Sequence, residues 1–242
     1  MTTSPGAQPP AALLVIGHRG ARGHAPENTL ASFRKALELG CRWVELDVQW
    51  HDGELWVMHD LRLERTTSGH GFLAEHDAAT LRALDAGQGE RIPTLREVLD
   101  LLDGRCGVNV ELKTADGTAR AVAQLLRDRI ARGARPEHFQ VSSFHLPELR
   151  EFRRALPEVP VGVLLAGVPL TLAQAAAELE ASVVSLDAEF LEPLLIADAK
   201  RRGCHVYAYT INRADELPRL RRLGIDGIFT DYPNRFLGGG SP

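Results

Sequence analysis

Glu45 and Asp47 stand two residues apart in Trp43-Val44-Glu45-Leu46-Asp47-Val48, and Glu111 and Lys113 repeat that spacing in Val110-Glu111-Leu112-Lys113. In an extended strand the period of two aims both members of each pair at one face. The intervening Val44, Leu46, Val48, Val110 and Leu112 are apolar and suit the covered outer face of a barrel, so the charged alternates must point into its interior. Three carboxylates converging there repel by about 4 kcal/mol per pair at 4 Å in an effective dielectric near 20. A cation relieves that repulsion. An all-oxygen donor set favours one hard divalent ion, Mg2+ or Ca2+, over zinc, which prefers His or Cys. The metal-free alternative is a buried ion-pair network in which Arg19 and Lys113 neutralise the carboxylates.

Two histidines accompany this cluster. His18 lies in Val15-Ile16-Gly17-His18-Arg19-Gly20, at the end of a short apolar run, and His59 lies in Val57-Met58-His59-Asp60. An imidazole titrates near pH 6.5, so a pair of them beside a metal suits a general base and a general acid on opposite sides of a displacement. Arg19 offers a forked cation matched to phosphate oxygens and Lys113 a point charge. Together with a divalent ion they would balance a phosphodiester on its way to a more negative transition state.

The elements that must position these residues follow from alternation along the chain. Short β-branched runs begin near Leu13, Trp43, Val108, His138, Val161, Ser182, His205 and Ile225, with helical patterns between them. Eight strands alternating with helices predict an α/β fold, a TIM (β/α)8 barrel, whose sites are built at the C-terminal ends of the strands. Helix punctuation is local: Leu30, Phe33 and Leu37 follow Asn28-Thr29 and stop at Gly40, Thr94 and Glu97 form a capping-box pair, and 214–223 ends at Gly224. The second and third strand starts are 65 residues apart, about twice the largest other gap. An insertion over about 60–92 is therefore expected after the second strand, with a helix over 78–84, as a small cap over the barrel mouth. The expected domain is a single catalytic barrel over 11–237, with flexible tails at 1–10 and 238–242.

Composition excludes other classes. With 242 residues, 28 Lys+Arg against 32 Asp+Glu, a net charge of −4 and 44% hydrophobic residues, the chain can bury a sizeable core. That charge balance gives no reason to expect nucleic acid as a partner. No stretch approaches the roughly 20 apolar residues of a membrane span, so stable membrane insertion is not expected. No Lys or Arg precedes Arg19, which argues against a secretory signal, and Cys41, Cys106 and Cys204 form no CxxC pair. Free thiols and a cytoplasmic location are the resulting expectation.

Gly17-His18-Arg19-Gly20, Pro26-Glu27-Asn28-Thr29, Val44-Glu45-Leu46-Asp47-Val48, Met58-His59-Asp60, Arg65-Thr66-Thr67, Ile92-Pro93-Thr94-Leu95 and Val110-Glu111-Leu112-Lys113 occur in this order. The series resembles the motif set of glycerophosphodiester phosphodiesterases over about residues 15 to 235. The resemblance implies a barrel hydrolase with a metal at Glu45, Asp47 and Glu111, His18 and His59 as the acid/base pair, and Arg19 and Lys113 on the phosphate. It also implies that the insertion is the family's cap. Ser143-Phe144, residues 207–212 and 229–233 are similar to later family segments. Tyr209 stands where many members carry Trp, keeping an aromatic wall for the glycerol of a small-molecule diester but adding a hydroxyl.

The implied reaction releases glycerol 3-phosphate and an alcohol, by internal attack of the glycerol 2-hydroxyl or by direct attack of water. Two rivals are a phospholipase D-like barrel acting on intact lipid, against which the polar insertion argues, and a non-catalytic phosphate-binding barrel, which would have lost a histidine or carboxylate. Nothing in the sequence fixes the oligomeric state.

Other polar residues are expected to serve structure. Glu75-His76-Asp77 lies in the polar insertion, and His24, His51, His70, His138, His145 and His205 lack partnered motifs. Glu27 suits either the orientation of His18 or Arg19 or the opening of a helix. Asp187, Glu189 and Asp231 sit near strand ends as rim contacts or as loop polarity.

Overall fold

The computed structural model describes residues 13–237, so the expected tails and the first two residues of the expected domain lie outside the described residues. Nine strands form one sheet: β1 (Leu14–Gly17), β2 (Trp43–His51), β3 (Glu54–Val57), β4 (Gly107–Leu112), β5 (Phe139–Ser143), β6 (Val161–Leu165), β7 (Val183–Asp187), β8 (His205–Tyr209) and β9 (Gly227–Thr230). All except β3 pair in parallel, in the order β1-β9-β8-β7-β6-β5-β4-β2, and β1 pairs with β2 to close an eight-stranded barrel. The helices are α1 (Leu30–Glu38), α2 (Ala78–Ala83), α3 (Leu95–Leu102), α4 (Thr118–Ala131), α5 (Leu146–Ala155), α6 (Gln174–Glu178), α7 (Pro193–Arg201), α8 (Leu217–Leu223) and α9 (Asn234–Leu237). The fold is the expected TIM barrel.

The strand β3 was not among the eight expected. It runs antiparallel to the C-terminal part of β2, with His51 opposite Glu54 across the two-residue turn Asp52-Gly53. Both turn residues have positive φ, 48° and 77°, which is the twist that a two-residue hairpin requires. The hairpin carries the chain past the barrel rim and back again, so that the backbone N–H of Met58 donates to the carbonyl of Asp47 at 3.0 Å. It thereby returns His59 to the level of the β2 carboxylates.

The main core lies between strands and helices, where Val44, Leu46, Val48, Val110, Leu112, Val141 and Val184 pack against Phe33, Val122, Leu126 and Phe152. Their inward neighbours divide the lumen. Glu45 lies beside Asn109, Asp47 beside Glu111, Asn109 beside Gln140 and Glu111 beside Ser142 in the ladders, giving a polar side. Ile16, Val183, Tyr207 and Phe229 form an apolar cluster. Capping follows the sequence: Thr29 accepts from Ser32 at the start of α1, Thr94 and Glu97 complete a capping box on α3, and Gly224 ends α8 in the left-handed region.

Residues 58–92 leave and re-enter the barrel side by side, the N–H of Val57 donating to the carbonyl of Pro93 at 2.8 Å. The excursion has its own small core of Trp56, Met58, Leu63, Leu73, Leu81, Ala86 and Ile92, and α2 is its helix. Cys41, Cys106 and Cys204 are free and buried. No helix among the described residues is long and apolar enough to cross a membrane.

Candidate active site

At the floor of the barrel mouth, Glu45 and Asp47 from β2 and Glu111 from β4 bring one carboxylate oxygen each to within 4.8 Å of one another. Their charges are unequally compensated. Lys113 Nζ donates to Glu111 at 2.7 Å and stands 3.6 Å from Asp47, while Arg19 Nε lies 3.3 Å from Asp47. Among the described residues, Glu45 receives only the backbone N–H of Arg19 on Oε2, at 2.9 Å, and its buried Oε1 has no hydrogen-bond partner. Burial, followed by repulsion from Asp47 and Glu111, drives its pKa well above the ordinary carboxylate value; burial and Asp47 push Glu111 up to about 7. The ion-pair network weighed as the metal-free alternative is therefore present at Asp47 and Glu111 but does not reach Glu45. Three oxygen donors, one of them buried without a proton donor, fit a hard divalent cation.

The β1 turn is shaped to make these contacts. Arg19 and Gly20 both adopt positive φ, 50° and 82°, and this turns two successive N–H groups toward Glu45, one to its side chain and one to its carbonyl. A Cβ on Gly20 would meet Ser32 Oγ at 2.4 Å, so the position admits only glycine. Asn28, also left-handed at φ 59°, donates from Nδ2 to Asp47 at 2.9 Å. Buried Gln49, two residues beyond Asp47 on the inward face, holds the His59 segment by donating to the carbonyls of Met58 and Asp60 at 2.9 and 2.7 Å.

Each histidine is oriented by its own aspartate. His18 Nδ1 lies 2.7 Å from Asp231 Oδ1, and His59 Nδ1 lies 2.6 Å from Asp60 Oδ1. Hydrogen bonding and charge from His18 overcome burial to hold Asp231 low; hydrogen bonds from Arg65 and His59 do the same at Asp60. Both carboxylates are thus acceptors only, so each ring carries its proton on Nδ1 and keeps Nε2 for chemistry. His18 Nε2 is 3.9 Å from Glu45. Burial lowers the pKa of both imidazoles, against the opposing pull of the nearby carboxylates.

A net of ion pairs joins the two sides of the site. Arg65 grips Glu27 with Nη1 and Nη2 at 2.9 and 2.7 Å and also pairs with Asp60; Arg19 Nη1 reaches the same Glu27 at 2.6 Å. Arg22 spans Glu27 at 3.8 Å and Asp231 at 3.3 Å. Glu27, for which the sequence left two readings, is the meeting point of three arginines. Although burial acts upward, the hydrogen bonds from Arg65 and Arg19 hold its pKa at about 2.

Tyr209, Phe144, Leu164 and Phe229 line the remaining wall of the cleft beside His18, Glu45, Asn109 and Glu111. The Tyr209 hydroxyl does not face the cleft, because it donates to the carbonyl of Leu165 at 2.9 Å. The ring meets Phe144 edge-on, with centroids 5.9 Å apart.

The family model for glycerophosphoryl diester phosphodiesterases matches residues 18–235, which carry every one of these groups. The chain belongs to the glycerophosphoryl diester phosphodiesterase family. A glycerophosphodiester phosphodiesterase of Caldanaerobacter subterraneus is 34% identical over 93% of this chain and 96% of its own length. Among solved structures, an Oleispira antarctica phosphodiesterase in complex with its product sn-glycerol-3-phosphate superposes with a TM-score of 0.83, at 32% identity and over 93% and 95% of the two chains. The glycerophosphodiester phosphodiesterase of Thermotoga maritima gives 0.76 at 26% identity, over 93% and 97%.

Within this family fold the eight residues singled out from sequence occupy one mouth, whereas the residues set aside go elsewhere. Glu75 accepts from the backbone N–H of Phe72, Asp77 caps α2, and His76 bonds to the carbonyl of His70. Asp187 accepts from the N–H of Glu189 in its own turn. Asn28, Gln49, Asp60 and Arg65 were not singled out individually, yet each touches a histidine segment or a carboxylate. The usable signal for Gln49 was its place on the same strand face as Glu45 and Asp47.

Proposed function

We propose that this enzyme hydrolyses glycerophosphodiesters to glycerol 3-phosphate and a free alcohol, with His18 and His59 moving the protons. Glu45, Asp47 and Glu111 would hold one divalent cation, Mg2+ or Ca2+. When bound, that ion supplies positive charge to the phosphoryl oxygens. The observation that carries the reading is the convergence of two aspartate-oriented imidazoles on a carboxylate floor flanked by Arg19 and Lys113.

His18, kept neutral at pH 7 by its lowered pKa and with Nδ1–H committed to Asp231, presents a lone pair on Nε2. It takes the proton from the attacking oxygen, either the glycerol 2-hydroxyl or water. An internal 2-hydroxyl attack gains the effective-molarity advantage of a held nucleophile and passes through a cyclic phosphate that water then opens. His59 donates to the departing alcohol. A phosphate beside it favours the imidazolium, and a lowered pKa makes that imidazolium the stronger acid. Arg19 and Lys113 face the phosphate charge, and the rings of Tyr209 and Phe144 give the glycerol a wall. Residues 58–92 cover the alcohol side and form the cap of a single catalytic domain. Three unpaired thiols suit the cytoplasm.

Turnover of glycerophosphocholine, glycerophosphoethanolamine and glycerophosphoglycerol, followed by release of glycerol 3-phosphate with and without chelator, tests the reading. Activity on all three within about a hundredfold in kcat/KM is expected, because the fixed charges address phosphate, not the headgroup; a factor of a hundred is about 2.7 kcal/mol. Chelation should abolish it and Mg2+ or Ca2+ restore it. Full activity in a verified metal-free sample contradicts the assignment of the carboxylates.

A further inference from the structure

Three neighbouring strands end side by side on the His18 flank of the mouth. β9 lies between β1 and β8, with Thr230 opposite Gly17 and Ile228 opposite Ala208. Beyond the strands the backbone contacts continue: the N–H of His18 donates to the carbonyl of Thr230 and that of Ile211 to the carbonyl of Phe229, each at 2.9 Å. His18, Asp231 and Asn212 therefore stand in a row, one just past the end of each strand. Their side chains join them, His18 Nδ1 to Asp231 Oδ1 at 2.7 Å and Asn212 Nδ2 to Asp231 Oδ2 at 2.8 Å. The carboxylate has one oxygen on the imidazole and the other on the amide.

The orientation of the Asn212 amide is fixed by its neighbours. Its Oδ1 faces two donors, the backbone N–H of Asp231 at 2.9 Å and the hydroxyl of Thr230 at 3.2 Å, and Thr230 Oγ1 in turn accepts from the N–H of Tyr232 at 3.1 Å. An amide nitrogen cannot accept from a backbone N–H, so Nδ2 must be the atom that points at the Asp231 carboxylate. The main chain of Asn212 is pinned as well: Arg235 Nη1 donates to its carbonyl at 2.7 Å, while that guanidinium lies over the Tyr232 ring at 3.8 Å. One short side chain thus holds Asp231 both at its backbone and at its carboxylate.

The two histidines differ in what holds their aspartates. Arg65, a cation, donates twice to Asp60, whereas Asp231 is held by a neutral amide. Arg22, on the more exposed side, stands 3.3 Å from Asp231 Oδ1, the oxygen that His18 uses. A carboxylate free to turn would swing onto that guanidinium and off the imidazole. A neutral donor on Oδ2 blocks the turn without cancelling the charge, and a base that becomes an imidazolium needs that charge beside it. We infer that Asn212 is a positioning residue of the reaction, which acts through Asp231 to keep the His18 ring turned with its proton on Nδ1 and Nε2 free for substrate. The inference rests on His18 as the base of the function proposed above and adds a third member to that half of the site.

The test is a cycle of single and double variants assayed on glycerophosphocholine. A hydrogen bond to a charged group is worth about tenfold to a hundredfold, so Asn212→Ala should lower kcat by that factor, with KM and metal content little changed. Asn212→Leu keeps the shape of the amide and leaves no room for a water in its place, so it should lose as much. In an Asp231→Ala background no carboxylate is left to hold, and adding Asn212→Ala should cost less than about twofold more. Nitrogen NMR spectra of the His18 ring give a readout that needs no turnover: the wild type should carry the proton on Nδ1, and Asn212→Ala should show a mixture of the two tautomers. If no diester is cleaved, the proposed function fails, and the spectra still decide whether Asn212 fixes the ring. A loss that appears in KM instead of kcat, a loss of the same size with and without Asp231, or an Nδ1 tautomer that survives Asn212→Ala unchanged would overturn the inference.

Discussion

Glu27→Gln removes the charge on which Arg19, Arg22 and Arg65 converge while keeping the side chain's shape. Its folded pKa of about 2 against an ordinary 4.5 is a difference of about 2.5 units, or about 3.4 kcal/mol at 1.36 kcal/mol per unit. Arg65 is 46% exposed, so solvent screening reduces this, and about 2 kcal/mol is the expected loss at pH 7. The depressed pKa fixes the sign of the pH dependence. The stabilisation is fully present above the unfolded value near 4.5 and is lost as pH falls through the folded value. At pH 3.5 the gap between wild type and variant should therefore have narrowed by about 1 kcal/mol. Urea unfolding of both proteins at pH 7 and pH 3.5 measures it. Because Arg65 also holds Asp60, and Asp60 orients His59, kcat/KM on glycerophosphocholine should fall by about tenfold to a hundredfold. A stability gap that does not change with pH, or a variant as active as the wild type, would refute the reasoning that makes Glu27 a hub.

Three further outcomes follow from individual contacts. Asp231→Asn removes the acceptor charge that fixes the His18 tautomer and should lower kcat by about a hundredfold with KM little changed; an unchanged kcat would make the Asp231 contact merely structural. Tyr209→Phe deletes only the bond to the Leu165 carbonyl, so it should cost about 1 kcal/mol of unfolding stability and leave turnover within about threefold, whereas a large loss of activity would mean that the hydroxyl reaches substrate. Glu45→Gln should remove most activity and Glu75→Ala almost none; the reverse order would show that the wrong acidic cluster was chosen.

The barrel was legible because its inward and outward residues alternate with a strict period, and Glu45, Asp47 and Glu111 declared themselves as charges where that period demands burial. His18 and His59 were legible as neighbours of strand ends. What escaped depended on backbone geometry. The β3 hairpin was signalled by Asp52-Gly53, whose residues tolerate the positive φ of a tight turn, but the run after it is only four residues long. Asn28 holds Asp47 only because it, too, adopts a left-handed conformation, which residue type permits but does not announce. Asp231 is 213 residues from His18, and no local pattern pairs them. The ion-pair net through Glu27 likewise required the excursion to bring Arg65 back across 38 residues.

The division of labour between the two histidines is the centre of the account, and a leaving group that needs no proton separates them. On glycerophosphocholine, His18→Ala and His59→Ala should each lower kcat/KM by about a hundredfold to ten-thousandfold, with folding and metal content intact. On an aryl diester of glycerol 3-phosphate whose phenol leaves as the anion, His59→Ala should recover most of that loss and His18→Ala should not. Equal recovery of both variants, recovery of His18→Ala alone, or wild-type turnover of glycerophosphocholine by either one would contradict the assignment of His18 as base and His59 as acid.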